Sequence, residues 1–258
     1  MYVYRDCLGA LADFDSTNGM RQATISIFEN GVPGEFLNIT NLDPVVTPIP
    51  LNVTDPCLDI PTDVLCVEEG RYQFVVTLPL NTLDYTITYQ RCCRNNTILN
   101  IDSPGETGAT YIVGITRKAM DLCNSSPVFE EYPPVMICAN TDINFDHAAV
   151  DQDSNTDSLV YRFCAPLQGG GNDFSFLGSE LPTGVAPDPD LPPPYQPVEF
   201  TFPTTDAAPM AGDPIVTIDS QTGLISGSPT LVEQYVVGVC RRMEGRQSHE
   251  FCTARLPV

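Results

Sequence analysis

Apolar and polar residues alternate with a period of two in short stretches along the chain, which is the pattern of strands with one buried face. In the N-terminal half it runs through Tyr2–Tyr4, Ala23–Ile27, Tyr72–Leu78, Tyr85–Tyr89 and Gly108–Ile115. In the C-terminal half it runs through Ile143–Ala149, Leu159–Phe163, Val198–Phe202, Ile215–Ile218 and Gln234–Cys240. Turn residues punctuate these stretches. Asn30-Gly31 ends one strand, Pro79–Thr82 makes Tyr72–Leu78 and Tyr85–Tyr89 a predicted hairpin, and Gly227 permits a left-handed turn before Pro229. Only Arg117–Leu122 suggests a helical turn. Pro44, Pro48, Pro50, Pro56 and Pro61 remove ladder donors and confine residues 41–63 to a sheet edge or a loop. The pattern predicts an all-β chain.

The chain's 258 residues are long for one sandwich and comfortable for two. Ser126–Phe129 leads through Tyr132-Pro-Pro-Val, a stiff linker composition, so the boundary is placed near residue 128, with domains at 1–127 and 128–258. Twelve Lys and Arg against 33 Asp and Glu give a net charge of -21, which repels phosphate backbones and anionic lipid. Nucleic acid is therefore not an expected partner. No apolar run approaches the ~20 residues that cross a bilayer, so no membrane insertion is expected. Ten cysteines without C-x-x-C spacing, beside two histidines, point to a disulfide framework and an extracellular or outer-surface location. The candidates are Cys7, Cys57, Cys66, Cys92, Cys93, Cys123, Cys138, Cys164 and Cys240. Cys57 and Cys66 bracket the proline-rich stretch as a possible staple. Cys92 and Cys93 face opposite ways if extended, and Cys164 with Cys240 is a predicted cross-sheet bond. The start MYVYRDC lacks the composition of a leader and reads as the start of a fragment.

The most informative stretch is Cys138–Cys164, in which two alternating segments flank an acidic turn at Asp151–Asp157. Calcium takes six to eight oxygen ligands, and Asp151, Asp153 and Asp157 with Asp146 or a main-chain carbonyl supply several. The alternative is a solvated acidic turn. Asp13–Gly19 resembles a calcium loop only superficially, because no Glu stands at its twelfth position, and is read as a solvated turn. His147 falls on a strand and His249 near the end of the chain, and no G-x-S-x-G or H-E-x-x-H is present, so the reading is non-catalytic. Arg91 and Arg94 are read as loop-ordering cations. The excursion Gly169–Tyr195 carries Leu191-Pro-Pro-Pro-Tyr195, with Tyr195 as a candidate ligand surface or part of a rigid edge wrap.

DQDSNTDSLVYRF resembles the Asp-x-Asp-Gly-Asp-x-Leu-x-Tyr signature of cadherin-like repeats, and IDSQTGLISGSPT followed by QYVVGV resembles immunoglobulin-like domains of bacterial surface proteins. YRDC, CVEEGRY, YQRCCRNNTI, GATY, CNSSPVF, FDHAA, PPPY and TGLISGSP resemble, in that order, the N-terminal regions of large secreted Bacteroidota proteins of the gliding-motility-associated, type IX-secreted and PKD-domain kind. The resemblance implies two tandem immunoglobulin-like or cadherin-like β-sandwich domains for adhesion or display within a larger surface protein. Its implied partners are an extracellular glycan, a surface protein, or neighbouring domains and subunits. Alternatives are a structural subunit of a fibre or stalk, and a carbohydrate-binding accessory domain of a secreted hydrolase. Relatives carry a strand ahead of YRDC, so the first sheet is expected to lack an edge strand. Arg241–Val258 departs from the family pattern; a frameshifted tail is the expectation, with the final strand missing.

Overall fold

The computed structural model describes residues 1–7, 13–19, 22–49, 66–80, 82–91, 94–134, 136–153, 158–169, 192–244 and 249–255, of which 244 and 249–255 are described in backbone alone. The fold is all-β, in antiparallel sheets, with one short α-helix and one 3-10 turn at Pro104–Glu106 among the described residues. The N-terminal half contains β1 (Tyr2–Asp6), β2 (Ala23–Glu29), β3 (Leu37–Leu42), β4 (Val45–Pro48), β5 (Val67–Arg71), β6 (Tyr85–Arg91) and β7 (Ala109–Ile115). They form two sheets, ordered β1-β5-β4 and β3-β2-β6-β7. Ala23, Ile25 and Tyr89 from the second sheet meet Tyr72 and Val3 at the first, so the two layers close on one core. Thr24, Ile25 and Ile27 are the β-branched residues of β2, where each fully buried isoleucine contributes about 1.5–3 kcal/mol.

Two expectations fail here for the same reason. Residues 72–78 alternate in burial as the pattern requires, but β5 ends at Arg71 and no ladder among the described residues includes them. The expected hairpin with Tyr85–Tyr89 is absent, because β6 lies between β2 and β7. Alternation reports an extended segment with one face on the core; it does not say which neighbour bonds its edge. β3 (LNITNL), polar and weakly patterned, was not expected. β4 is the edge strand its prolines require, with Pro48 at its end.

Beyond β7, the helix α1 (Arg117–Leu122) forms where expected, with the Thr116 hydroxyl accepting from the Ala119 N–H at 3.2 Å as N-cap. The C-terminal half contains β8 (Val128–Phe129), β9 (Ile143–Asp146), β10 (Ala149–Val150), β11 (Ser158–Cys164), β12 (Thr217–Ile218), β13 (Leu224–Gly227), β14 (Val237–Glu244) and β15 (His249–Arg255). Its sheets are β12-β13-β9, β10-β8 and β11-β14-β15. β9 and β10 are two pieces of one strand, broken at His147-Ala148. There the His147 ring stacks on Phe129 at 4.0 Å, and the His147 backbone N–H donates to the Gly223 carbonyl. Phe129, Tyr161, Phe163, Val216, Ile225 and Val239 share the core between the layers.

Val198–Phe202 is not a strand. It makes a single bridge at Phe200, with another at Pro197 just ahead of it, and Phe202 is 98% exposed. The expected absence of a final strand is also corrected: β15 pairs with β14 from Val237↔Arg255 to Met243↔His249. Arg241, the first residue of the supposed unpatterned tail, is buried over the Phe129 ring at 4.2 Å and donates to the Pro127 carbonyl.

The segment between β6 and β7 joins the halves. Ile98 and Ile101 pack with Val198, Phe200 and Val236. Between them Asn100 is 1% exposed, and its amide donates to the Pro209 and Val236 carbonyls at 2.9 and 2.8 Å. Its Oδ1 accepts from the Val236 N–H at 2.9 Å. Its own carbonyl accepts from the Thr201 N–H and the Thr204 hydroxyl at 3.0 and 3.1 Å. Every polar group of this buried side chain is matched, as burial of an amide demands.

Candidate functional site

The acidic turn uses its carboxylates as caps. Asp146 Oδ1 accepts from the Ala148 N–H at 3.0 Å, and Asp151 Oδ1 from the Asp153 N–H at 3.2 Å. Asp153 accepts from the Ser125 hydroxyl at 2.9 Å and from the Ser125 N–H. Asp151 Oδ2 is shielded and has no donor among the described residues. Asp157 lies outside the described residues. Among those described, no three His, Cys, Asp or Glu side chains are grouped to hold a metal.

The cysteines divide into bonded and free. Cys7–Cys66, with Cα atoms 5.3 Å apart, ties the end of β1 to the start of β5. This excludes the expected Cys57–Cys66 staple, because Cys66 is taken by a neighbouring strand end. Cys164–Cys240 forms with Cα atoms 5.8 Å apart, the pairing read from the sequence. It joins neighbours within one sheet, not two layers: Cys164 stands opposite Gly238 and Cys240 opposite Arg162, so the bond runs diagonally across one ladder. Cys138 is also disulfide-bonded. Cys123, expected in the framework, is a free exposed thiol at the left-handed residue that closes α1. Cys57, Cys92 and Cys93 lie outside the described residues.

Asp13–Gly19, read as a solvated turn, is instead anchored inward. Tyr89 donates to Asp15 Oδ2 at 2.6 Å, Tyr72 donates to the Asp15 carbonyl at 2.7 Å, and Arg91 donates to the Asp13 carbonyl at 2.6 Å. Burial pushes the Tyr72 and Tyr89 phenols above their ordinary range, and the Asp15 charge adds to it. Arg94 is buried and donates to the Leu167 carbonyl at 3.1 Å; desolvation lowers its pKa. Both arginines order loops. His147 is packed in the C-terminal core, and the side chain of His249 lies outside the described residues.

Tyr195 is half-buried, and the preceding prolines line a shallow cleft with Phe28, Asn30 and Thr86 of the N-terminal half. Residues 170–191 of the excursion lie outside the described residues. A larger groove, which the sequence did not suggest, has a volume of about 410 Å³ and lies between the outer face of β1-β5-β4 and Val128–Tyr132. The ladder register places Tyr2, Arg71 and Val45 in one row of its floor and Tyr4, Glu69 and Thr47 in the next. Tyr132 walls it, donating to Glu69 Oε2 at 3.0 Å and meeting Tyr4 edge-on at 5.8 Å and 77°.

Comparison with protein-family models, curated proteins and solved structures gives no match.

The groove therefore has to be read from its own chemistry. It combines exposed aromatic faces with carboxylate acceptors and a guanidinium donor, an arrangement suited to holding a polar ligand with apolar faces. No helix is long and apolar enough to cross a membrane among the described residues.

Proposed function

We propose that the chain is a non-catalytic module of the extracellular or outer cell surface, serving adhesion or display within a larger secreted protein of the gliding-associated kind its motifs resemble. The observation that carries this reading is the pair of disulfides Cys7–Cys66 and Cys164–Cys240, each pinning neighbouring strands of one sheet. Such bonds persist in oxidising compartments and are rare elsewhere.

The strand order supports two immunoglobulin-like or cadherin-like sandwiches. With β9 and β10 taken as one strand, β8, β9–β10, β13 and β12 follow the order A-B-E-D, and β11-β14-β15 the order C-F-G. In the first half β1-β5-β4 takes the places B-E-D, and β3-β2-β6-β7 the places C′-C-F-G. The Asn100 joint suits such a module, because it holds one half against the other and transmits load without a loose hinge.

Surface labelling tests the proposal. The native protein is expected to react with a membrane-impermeant biotin reagent on intact cells, and Cys7, Cys66, Cys164 and Cys240 to resist alkylation until reduced. Protein found only inside cells, with those four thiols free, would sink the reading. The edge strand β4 exposes Val45 and Val46, which favours a second reading as a fibre or stalk subunit joined edge to edge. Sedimentation showing a concentration-independent monomer removes that second reading.

A further inference from the structure

We propose that the groove between β1-β5-β4 and Val128–Tyr132 binds a neutral oligosaccharide. This deepens the surface-module reading and rests on it. Side chains alternate across a sheet, so the two floor rows present six residues on one outer face, and Tyr2 and Val45 are 56% and 57% exposed. Tyr132, 49% exposed, stands at one side. Its bond to Glu69 and its edge-on contact with Tyr4 hold two tyrosines roughly at right angles, forming a corner. The groove's volume of about 410 Å³ falls within the range of about 300–1,000 Å³ typical of small-ligand sites.

Charge selects the occupant. Glu69, Glu130 and Glu131 line the groove in a chain of net charge -21, which disfavours anions. Arg71 stands in the floor between Tyr2 and Val45 and adds a hydrogen-bond donor beside the carboxylates, one that a cationic ligand would leave unmatched. A peptide added as a strand needs a sheet edge, whereas these residues lie on a sheet face, with backbone groups turned along the sheet. The remaining class is uncharged, needs both hydrogen-bond donors and acceptors, and has apolar faces to stack. A sugar ring has all three properties: its C–H face packs on a tyrosine ring, and its vicinal hydroxyls donate to carboxylates and accept from a guanidinium. The Thr47 hydroxyl, in the same floor, both donates and accepts.

The test uses the full chain with disulfides intact, titrated by calorimetry against neutral glucose, mannose and N-acetylglucosamine oligomers, with a lysine-rich peptide and a sulfated glycan alongside. Saturable binding of at least one neutral oligomer is expected, weakened at least tenfold by Tyr2→Ala and by Arg71→Ala and unchanged by Tyr195→Ala. Tyr2→Ala alters an exposed side chain and should leave the melting temperature unchanged; if Arg71→Ala melts early, Tyr2→Ala alone decides. The proposal is overturned if no neutral oligomer binds, if only a charged probe binds, or if binding survives Tyr2→Ala undiminished. Surface labelling and the thiol count do not depend on any sugar, so a failed titration on a surface-labelled, disulfide-bonded protein removes this inference and leaves the broader reading standing.

Discussion

At the scale of single residues, the buried tyrosines set how the protein responds to alkali. Burial raises the phenol pKa of Tyr72, Tyr89 and Tyr111, and that of Tyr235 to about 12. A raised folded-state value means that their contribution is complete below the unfolded value near 10 and is lost as pH climbs towards the folded values. Denaturation midpoints should therefore hold steady up to about pH 9 and fall steeply above about pH 10. Tyr89→Phe should cost about 1–3 kcal/mol at neutral pH, because Asp15 loses a donor while remaining buried, and should flatten the alkaline fall. A midpoint indifferent to pH between about 9 and 11 would contradict the assignment. Asp153 supplies a second test, since it caps Ser125 through both the N–H and the hydroxyl. Asp153→Ala is expected to destabilise by about 1 kcal/mol equally in chelator and in excess calcium. A loss confined to calcium-containing buffer would show instead that the turn closes on the ion. Asp13–Gly19 was legible as a turn, but the inward anchoring of Asp15 was not, because its composition marks a turn without saying whether the turn folds over the core.

At the scale of elements, the strands that pattern and composition foretold are those whose buried face is hydrophobic along their length. β2, β6, β7 and β11 fall where alternation placed them, β14 shares Val237–Cys240 with the expected Gln234–Cys240 and runs on to Glu244, and α1 coincides with its expected range. Leu37–Leu42 escaped notice because its apolar residues Leu37, Ile39 and Leu42 do not keep a spacing of two, and its ladder to β2 shifts register to bring Ile39 and Leu42 to the core. Ile143–Ala149 was legible as one strand, while its break was not, since the stacking of His147 on Phe129 depends on a residue far away in sequence. The pairing of Cys164 with Cys240 was legible because both lie at the same end of flanking strands; its diagonal path within one ladder was not, because that depends on register. Replacing both by alanine should cost about 2–4 kcal/mol, since the bond closes a chain separation of 76 residues in the unfolded state. Cys123→Ser should cost nothing measurable, because that thiol is free and exposed. Urea titration of the three proteins side by side checks the ranking, and equal midpoints for all three would remove the bond from the account of stability.

At the scale of the whole molecule, the question is whether the halves unfold together. The groove and the joint were both invisible in the sequence for one reason: each is made by residues brought together across long chain separations. The groove needs the register of β1, β5 and β4 together with the return of Val128–Tyr132, and the joint needs Asn100 to meet Val236. The joint is the stronger determinant of cooperativity. Asn100 is fully buried and fully bonded, so Asn100→Ala removes three side-chain bonds and leaves the Val236 N–H and two carbonyls buried without partners. Each such orphan costs about 1–3 kcal/mol, and all of that cost falls on the contact between the halves. Calorimetry of the native chain is therefore expected to show one transition whose calorimetric and van't Hoff enthalpies agree, and Asn100→Ala two resolved transitions with unequal midpoints. If the variant only lowered the midpoint of a single transition, Asn100 would stabilise one half locally and coupling would pass elsewhere, through Ile98 and Ile101 against Val198 and Val236. Ile101→Ser would then split the transition where Asn100→Ala did not. Two native transitions would show that the halves are coupled by the chain alone, which crosses between them from the end of β7 to β8, and the hinge would then lie at residues 116–127.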